Sequence, residues 1–263
     1  MQISYKIKIA LVIIIAMTGI VSVIAVKPIA QDPTYHFFAD KRCIVSIPNF
    51  WNVVSNIPFL IIGGMGMFVT LFRKPNGMLQ QLKINAFVFF LGVFFCCIGS
   101  IYYHYNPNTE SLFWDRLPMT VSFMAFFSII IGEYISIKAG KILLPQLLLA
   151  GVISILYWNM TEREGYGDLR FYALVQFLPF ILIPLIVILF KSKFNTNLYL
   201  WLVAVFYIVA KLLEHFDYSV YECGNFMGGH ALKHFSAAAA PLMYLLGLYK
   251  RKQEVISPNK IDI

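Results

Sequence analysis

The stretch "FYALVQFLPFILIPLIVILF", residues 171–190, contains no charged side chain over twenty consecutive positions. A helix that crosses a bilayer needs about 20 mostly apolar residues, so this stretch predicts a membrane span. The whole chain has the same character, because 59% of its 263 residues are hydrophobic and only 13% are charged, whereas about 25% of residues are charged in soluble domains. Seven further uncharged stretches lie at 9–26, 43–72, 84–109, 117–132, 142–161, 194–210 and 234–249, the shorter ones being extended by flanking residues such as Glu133, Lys211 and His230. The sequence therefore predicts an all-α, polytopic membrane helix bundle with eight membrane segments.

The positive charges indicate which side of the membrane each loop faces. The net charge is +8, and the basic clusters lie at the N-terminus, in every second loop and at the C-terminus. Those positions are predicted to be cytoplasmic, because cytoplasmic loops carry an excess of lysine and arginine. Most acidic residues fall in the alternate loops. The pattern accounts for the basic character without a nucleic-acid partner, and it predicts a multi-pass integral membrane protein with both termini in the cytoplasm.

The first 30 residues are interpreted as a unit of their own, a membrane anchor or a signal segment. Basic residues precede the apolar run and small residues follow it, which is also typical of a signal peptide. The uncharged core, 9–26, is long for a signal peptide, so a retained anchor is favoured, and cleavage would leave seven spans. Residues 31–250 then form a seven-helix membrane domain. Residues 251–263 form a polar cytoplasmic tail that is expected to be disordered.

Three histidines and an aspartate fall at the same predicted depth, near the non-cytoplasmic face. His104 lies in "GSIYYHYNPN" (99–108) and Asp115 in "WDRLPM" (114–119), while "GGHALKHF" (228–235) contains His230 and His234. Ionisable groups inside a membrane are costly and usually functional. Residues four positions apart share one helix face, so His230 and His234 can hold the same metal ion.

The types of these residues suit hydrolytic chemistry at a metal. Three neutral imidazoles with an open fourth position are typical of a catalytic zinc site. Asp115 could orient a water molecule or take its proton, and Ser100, one turn before His104, could donate a hydrogen bond to an oxyanion. We therefore predict His104, His230 and His234 as metal ligands, with Asp115 and Ser100 as catalytic residues.

Each of these residues also has a structural interpretation. A single histidine at a helix end is usually an interfacial residue, and Asp115 could simply interact with the dipole of its helix. Arg116 could pair with an acid or with a lipid phosphate. His36 and His215 lack comparable neighbours and are interpreted as structural or solvated. The other charged groups near this face are expected to form ion pairs that close the bundle, with contacts to a substrate head group as the alternative: Asp168, Arg170, Lys211, Glu214 and Asp217.

The four cysteines divide into two pairs. Cys96 and Cys97 lie inside the third segment and are interpreted as small apolar packing residues. Cys43 and Cys223 lie in loops on the non-cytoplasmic side, an oxidising environment in which a disulfide can persist. Because the metal site draws these loops together, a disulfide between them is expected, with two free thiols as the alternative.

Taken together, the motifs resemble those of the alkaline ceramidases and of the wider superfamily of membrane hydrolases that includes the progestin and adiponectin receptors. "FWNVVSN" (50–56), Ser-x-x-x-His ending at His104, "DRLPM" (115–119) and His-x-x-x-His ending at His234 occur in the family's order from about residue 36 to residue 249. The resemblance implies a seven-helix ceramidase-like core with one additional N-terminal helix. It also implies an amidase with zinc on His104, His230 and His234, and with Ser100 and Asp115 as the catalytic pair.

The sequence departs from the family pattern before the first core helix. Ceramidases carry an acidic residue directly before Phe-Trp-Asn and an acid-rich N-terminal segment that binds calcium. Here Asn49 precedes Phe50, and "FADKRCIVSIP" (38–48) offers only Asp40 as an acid. The expected cofactor is therefore Zn²⁺, calcium is doubtful, and the lipid is left open between ceramide and a related N-acyl lipid.

The expected function is that of a zinc-dependent integral-membrane amide hydrolase, which cleaves ceramide or a related lipid to a fatty acid and a sphingoid-type amine. One alternative is a zinc-containing membrane lipid receptor without hydrolysis, and another is a carrier of b-type haem. Ser100 and Asp115 favour hydrolysis, because structural zinc sites usually have four protein ligands and no open position. The expected partners are the membrane and its lipid substrate, with no protein partner predicted.

Overall fold

The structure, a computed structural model, describes residues 3–254 of the chain. Over this range the regular structure is helical, and the only β-type pairings are two isolated bridges. The α-helices are α1 Tyr5–Ala25, α2 Phe50–Val54, α3 Ile57–Phe72, α4 Lys83–Tyr105, α5 Thr109–Ile130, α6 Ile137–Arg163, α7 Arg170–Leu189, α8 Leu198–His215, α9 Asp217–Gly224 and α10 Gly229–Lys250. A π-helical turn, Ile131–Ile135, continues α5.

Seven helical segments within residues 3–254 are long and apolar enough to cross a membrane, with α2 and α3 counted as one. The eighth predicted segment lies in α10, which has the length of a span with 22 residues. Polar side chains in its first two turns, His230, Lys233, His234 and Ser236, lower its mean hydropathy. α10 packs inside the bundle against α3 and α8. The prediction of an all-α polytopic membrane bundle with an additional N-terminal helix is confirmed.

The close packing of α4 against α5 depends on a glycine. A Cβ atom at Gly99 would lie 2.0 Å from the carbonyl oxygen of Trp114, which is closer than any real contact. Small residues in membrane helices allow backbones to approach in this way. This contact places Ser100, the next residue of α4, beside Asp115 of α5.

The N-terminal helix α1 packs along α7. A Cβ atom at Gly19 would lie 3.0 Å from Leu178 Cδ1. After α1 the chain crosses the end of the bundle, where the Leu169 amide donates a hydrogen bond to the Ile29 carbonyl at 2.8 Å. This route carries the segment that follows α1 toward the cavity between the core helices.

The C-terminal end of α10 is fixed to the bundle by Arg251. Its side chain is fully buried and donates hydrogen bonds to both carboxylate oxygens of Glu133, at 2.9 and 3.0 Å, and to the Gly77 carbonyl at 2.8 Å. The expectation of a disordered tail is therefore wrong for residues 251–254, whose backbone also bonds to residues 193–195. A buried glutamate needs a partner, and Arg251, which follows the last residue of α10, provides it for Glu133. The rest of the tail lies outside the described residues.

The predicted disulfide is not formed, and this expectation is wrong. Cys43 and Cys223 are free and exposed. Their loops do meet, but through the Arg42 side chain, which donates hydrogen bonds to the carbonyls of Asn225 and Phe226. Cys96 and Cys97 are free and buried, as expected of packing residues.

Candidate metal centre and active site

The three predicted histidine ligands come together in the structure. His104 at the end of α4 and His230 and His234 in the first two turns of α10 each place one ring nitrogen within 4.8 Å of the others. All three side chains are buried, with at most 5% of their surface exposed. Zn–N bonds of about 2.0–2.1 Å put ligand nitrogens within about 4 Å of one another. The cluster is therefore slightly wider than a zinc-bound set and can close by small side-chain movements.

The start of α10 is held by the two glycines before His230 and by Asp217. The Asp217 carboxylate accepts hydrogen bonds from the His230 amide at 2.8 Å and from the Ala39 amide at 2.9 Å. A Cβ atom at Gly229 would lie 2.3 Å from the Leu213 carbonyl oxygen, so only glycine allows this approach to α8. A carboxylate at a helix N-terminus satisfies amide groups that have no partner within the helix. Asp217 and Gly229 therefore set the position of the first histidine of the pair.

Ser55, between α2 and α3, contacts His234. Its Oγ lies 2.7 Å from Nδ1 of His234 and can also donate to the Asn52 carbonyl at 3.5 Å. With the hydroxyl proton directed to Asn52, Nδ1 of His234 carries the proton that Ser55 accepts. Nε2 is then the nitrogen with a free lone pair.

Two further contacts shape the cluster around His104. Asn49, with the left-handed backbone φ of 47°, donates from Nδ2 to the His104 carbonyl at 2.9 Å. The Phe38 ring packs against the rings of His104 and His230, at centroid distances of 4.8 and 4.5 Å. Phe38 is itself buried and closes one side of the cluster.

The ring nitrogens of these histidines include buried atoms without a hydrogen-bond partner. Neither nitrogen of His104 has one, and neither does Nε2 of His230. Leaving a buried polar atom unpaired costs free energy, and three such atoms in one cluster are rare. A metal ion bound by all three rings would satisfy Nε2 of His230 and one of the two His104 nitrogens, so the cluster fits a metal site.

Ser100 and Asp115, the predicted catalytic pair, lie beside this cluster. Both side chains line the cavity that also reaches His234. The structure thus places a carboxylate and a hydroxyl where a group bound near the metal site could meet them.

A family model confirms the resemblance found in the motifs. The model described as Ceramidase matches residues 42–252. The chain belongs to the ceramidase family. No curated protein matches the chain. Membership of the ceramidase family indicates a membrane hydrolase that acts on amides, and α1 together with residues up to 41 lies outside the matched region.

The segment before Phe50 offers no ready second metal site. The Asp40 carboxylate is bound on both oxygens by Arg42, at 2.9 Å from Nε and 2.7 Å from Nη2. Within residues 3–254, the histidine cluster is the only group of three or more potential ligands close enough to share an ion. Asp40, the one acid between residues 38 and 48, is thus engaged by an arginine.

A cavity of about 390 Å³ extends from the candidate site between α4, α5, α7, α8 and α10. Its polar end is lined by Ser100, Asp115, Arg116, Lys211, Glu214, Lys233 and His234. The remainder is lined by aromatic and aliphatic side chains that reach Ile183 and Leu200. A cavity with one polar and one long apolar end suits an amphipathic lipid.

Glu214 is the centre of the charged residues at the polar end. Its carboxylate binds Lys211 at 2.8 Å, forms an ion pair with Lys233, and accepts a hydrogen bond from the Tyr35 hydroxyl at 3.2 Å. Lys211 and Glu214 form the expected ion pair, although within α8 itself. Asp217, which was also expected to pair, binds the amides of Ala39 and His230 instead. Lys233 and Tyr35 were not predicted, although a lysine between two histidines of an otherwise apolar helix is a signal that could have identified Lys233.

The other charged and histidine residues considered from the sequence have structural roles. Arg170 binds Asp168 through two hydrogen bonds at 2.8 and 2.9 Å, and its guanidinium lowers the pKa of that carboxyl group. His36 lies 3.0 Å from the Tyr103 hydroxyl and 3.3 Å from that of Thr109. Partial burial of His36 lowers the pKa of its ring, which favours the neutral form.

Proposed function

We propose that this protein is a zinc-dependent integral-membrane amide hydrolase that cleaves the N-acyl bond of ceramide or a related lipid to a fatty acid and a sphingoid-type amine. The observation that carries the proposal is the set of unpaired, buried histidine nitrogens beside Ser100 and Asp115, at the polar end of an apolar cavity. Family membership supports an amidase. In this proposal the membrane domain is residues 31–250, preceded by an anchor at 1–30 and followed by a cytoplasmic tail.

His104, His230 and His234 would hold the zinc ion. Zinc bound by three imidazoles supplies Lewis acidity and activates water near neutral pH. Nitrogen ligands without a nearby thiolate suit zinc, and both cysteines near this depth serve packing.

Asp115 and Ser100 act on different atoms during hydrolysis of the amide. Asp115 takes the proton from the attacking water and returns it to the amine nitrogen as the C–N bond breaks. Ser100 donates a hydrogen bond to the acyl carbonyl oxygen while negative charge develops there. The acyl chain lies in the apolar part of the cavity, which positions the amide carbonyl next to both residues.

The charge pattern of the loops places the site on the non-cytoplasmic side of the membrane, with both termini in the cytoplasm. Lys6, Lys8, Lys250 and Lys252 follow the distribution that the positive-inside rule describes. Reaction of single engineered cysteines in the loops with a membrane-impermeant reagent on intact cells tests this orientation. A cysteine at Asn106 should react from outside, whereas one at Lys141 should not.

The hydrolase proposal is tested with purified protein and a panel of N-acyl lipids, with and without a metal chelator, by mass spectrometry of the released fatty acid. Asp115→Asn should retain its zinc and lose about 10²–10⁴-fold in turnover. Ser100→Ala should lose less than the ~10²–10³-fold typical of an oxyanion donor that acts without a metal. If Asp115→Asn with zinc bound cleaves the lipid at the wild-type rate, the mechanism is wrong and a lipid-binding receptor becomes the better interpretation.

Metal binding is tested separately from turnover. His230→Ala removes one of three ligands, so its zinc content should fall well below one ion per chain. His36→Ala is the matched control, because His36 bonds to Tyr103 and Thr109 outside the cluster. Unchanged zinc content in His230→Ala would rule out the assigned ligand set.

A further inference from the structure

Arg116 has an unusual environment for a charged residue. It follows Asp115 on α5 and only 6% of its surface is exposed. Its guanidinium carbon lies 4.6 Å from the ring centroid of Trp158, 4.9 Å from that of Tyr172 and 5.4 Å from that of Tyr35. Aromatic faces attract a guanidinium group, so the three rings hold its plane in one place.

No carboxylate pairs with this guanidinium in the described part of the chain. Nη2 donates a hydrogen bond to Gln31 Oε1 at 2.7 Å, while Nη1 is buried and has no hydrogen-bond partner. Of the two partners considered for Arg116 from the sequence, an acid or a lipid phosphate, an acid is therefore excluded within residues 3–254. Buried arginines are normally paired, because an uncompensated charge loses its hydration without a replacement.

The other charges at the polar end do not supply the missing partner. Lys211 and Lys233 both pair with the single carboxylate of Glu214. With Asp115 and Glu214 as the acids and Arg116 added to the two lysines, the cavity lining holds one more cation than anions. An anion bound inside the cavity would balance this excess.

We propose that Arg116 binds an anionic group, a carboxylate or one of similar size and charge, on the amine part of an N-acyl lipid. This inference rests on the proposed amide hydrolase function and, between neutral ceramide and a related N-acyl lipid, selects a related lipid with a negatively charged head group, such as an N-acyl amino acid, whose hydrolysis releases the amino acid in place of a sphingoid-type amine. Arg116 lines the same cavity as Asp115 and Ser100, so the anion would lie beyond the amide, on the side opposite the acyl chain. A guanidinium held in a fixed plane suits the geometry of a carboxylate.

The test measures binding rather than turnover. The full-length Asp115→Asn protein, loaded with zinc in a neutral detergent, is titrated with N-palmitoylglycine, with the uncharged N-palmitoylethanolamine and with palmitic acid. N-palmitoylglycine should bind on the order of 10- to 100-fold more tightly than the uncharged amide, because hydrogen bonds between charged groups are the stronger ones. Adding Arg116→Gln should remove that difference and leave the affinity for the uncharged amide unchanged.

Two variants separate binding from folding. Arg73→Gln makes the same chemical change at an exposed arginine directly after α3. This control variant should keep the full preference for N-palmitoylglycine. Arg116→Lys keeps the positive charge but lacks the planar guanidinium group, so it should keep part of the preference for N-palmitoylglycine. Zinc content and melting temperature are measured for each variant, which shows whether it is folded. If Arg116→Gln is not folded, the preference of Arg116→Lys for N-palmitoylglycine tests the inference instead.

Three results would overturn the inference. The first is equal affinity for the charged and uncharged amides, and the second is an equal loss of both in Arg116→Gln, which would make Arg116 a structural residue. The third is that Arg116 increases the affinity for palmitic acid as much as it increases the affinity for N-palmitoylglycine. Arg116 would then bind the carboxylate of the fatty acid product. Arg116-dependent binding in a wild-type protein that hydrolyses neither of the two amides nor ceramide would support the inference while refuting the proposed hydrolysis.

Discussion

Ser55 decides which nitrogen of His234 is free to bind a metal. An imidazole that binds a metal usually fixes its other nitrogen by a hydrogen bond, which sets both its tautomer and its orientation. Ser55 is completely buried, and its Oγ lies 2.7 Å from Nδ1 of His234. At the residue scale, the site is therefore built from ligands and from the small polar groups behind them.

Ser55→Ala should weaken zinc binding by about 10- to 100-fold, the usual effect of losing a residue that orients a metal ligand. The ring of His234 would keep its position on α10 but lose the contact that fixes its tautomer. Competition with a chromogenic zinc chelator measures the change. Ser154→Ala is the matched control, since Ser154 is equally buried but bonds only within α6, to the Gly151 carbonyl. Equal zinc affinity in wild type and Ser55→Ala would show that Ser55 does not orient His234.

At the scale of helices, buried ion pairs lie at both ends of the bundle. At the end of the bundle remote from the histidines, Glu133 and Arg251 join the π-helical turn after α5 to the end of α10, and both side chains are buried. At the end near the histidines, Asp168 and Arg170 join at the start of α7. Each pair bonds groups that an apolar environment would otherwise leave uncompensated.

Glu133→Gln should destabilise the protein by about 3–5 kcal/mol, because it leaves the Arg251 charge buried without its partner. Unfolding in a denaturing detergent titration measures the loss. The control is Lys191→Ala, which breaks the exposed pair with Glu254 at 3.6 Å. Exposed pairs of this kind contribute little, so a similar loss in both variants would contradict the role of the buried pair.

The Asp168–Arg170 pair predicts a dependence of stability on pH. The hydrogen bond from Arg170 lowers the pKa of Asp168 in the folded protein, so the folded state binds fewer protons than the unfolded state. The stabilisation is therefore present above the unfolded pKa of about 4 and is lost as the pH falls through the lower, folded pKa. Asp168→Asn should be less stable than the wild type at neutral pH. On acidification, its melting temperature should fall less than that of the wild type. Parallel melting curves on acidification would contradict this contribution of Asp168.

At the scale of the whole molecule, the cavity combines surfaces from helices that are distant in sequence. Its lining runs along α8 from Lys211 near the histidines to Leu200. At 1.5 Å of rise per residue, this distance is about 16 Å, which accommodates much of an acyl chain. Under the proposed function, the length of the cavity would limit the acyl chain that the site accepts.

Val203→Phe should shorten the apolar part of the cavity. Long acyl chains would then lose roughly 0.8 kcal/mol of binding for each methylene that no longer fits, while short chains should be processed as before. The ratio kcat/KM for a short-chain and a long-chain N-acyl lipid measures the effect. Val205→Phe is the matched control on the same helix, because Val205 is 50% exposed on the outer surface. Equal selectivity in both variants would show that the acyl chain lies elsewhere.

The sequence by itself determined the membrane class, the order of the helices and the candidate site residues. Charges are so costly in hydrocarbon that their absence over about twenty residues is sufficient to predict a span, as the agreement of 171–190 with α7 shows. The spacing of His230 and His234 follows from helix geometry alone. One histidine on α4 and an acid at the start of α5 could be placed at the same depth because each lies at the end of a predicted span.

Only the tertiary structure decided which polar groups contact one another across the bundle. Arg251 pairs with Glu133, which lies 118 positions away, and Arg116 bonds to Gln31 rather than to an acid. The predicted disulfide failed for the same reason, since two loops can share a face of the membrane while their sulfur atoms remain apart. Hydropathy reports the depth of a residue in the membrane, whereas its neighbours depend on the rotation of each helix and on the side chains that pack between helices.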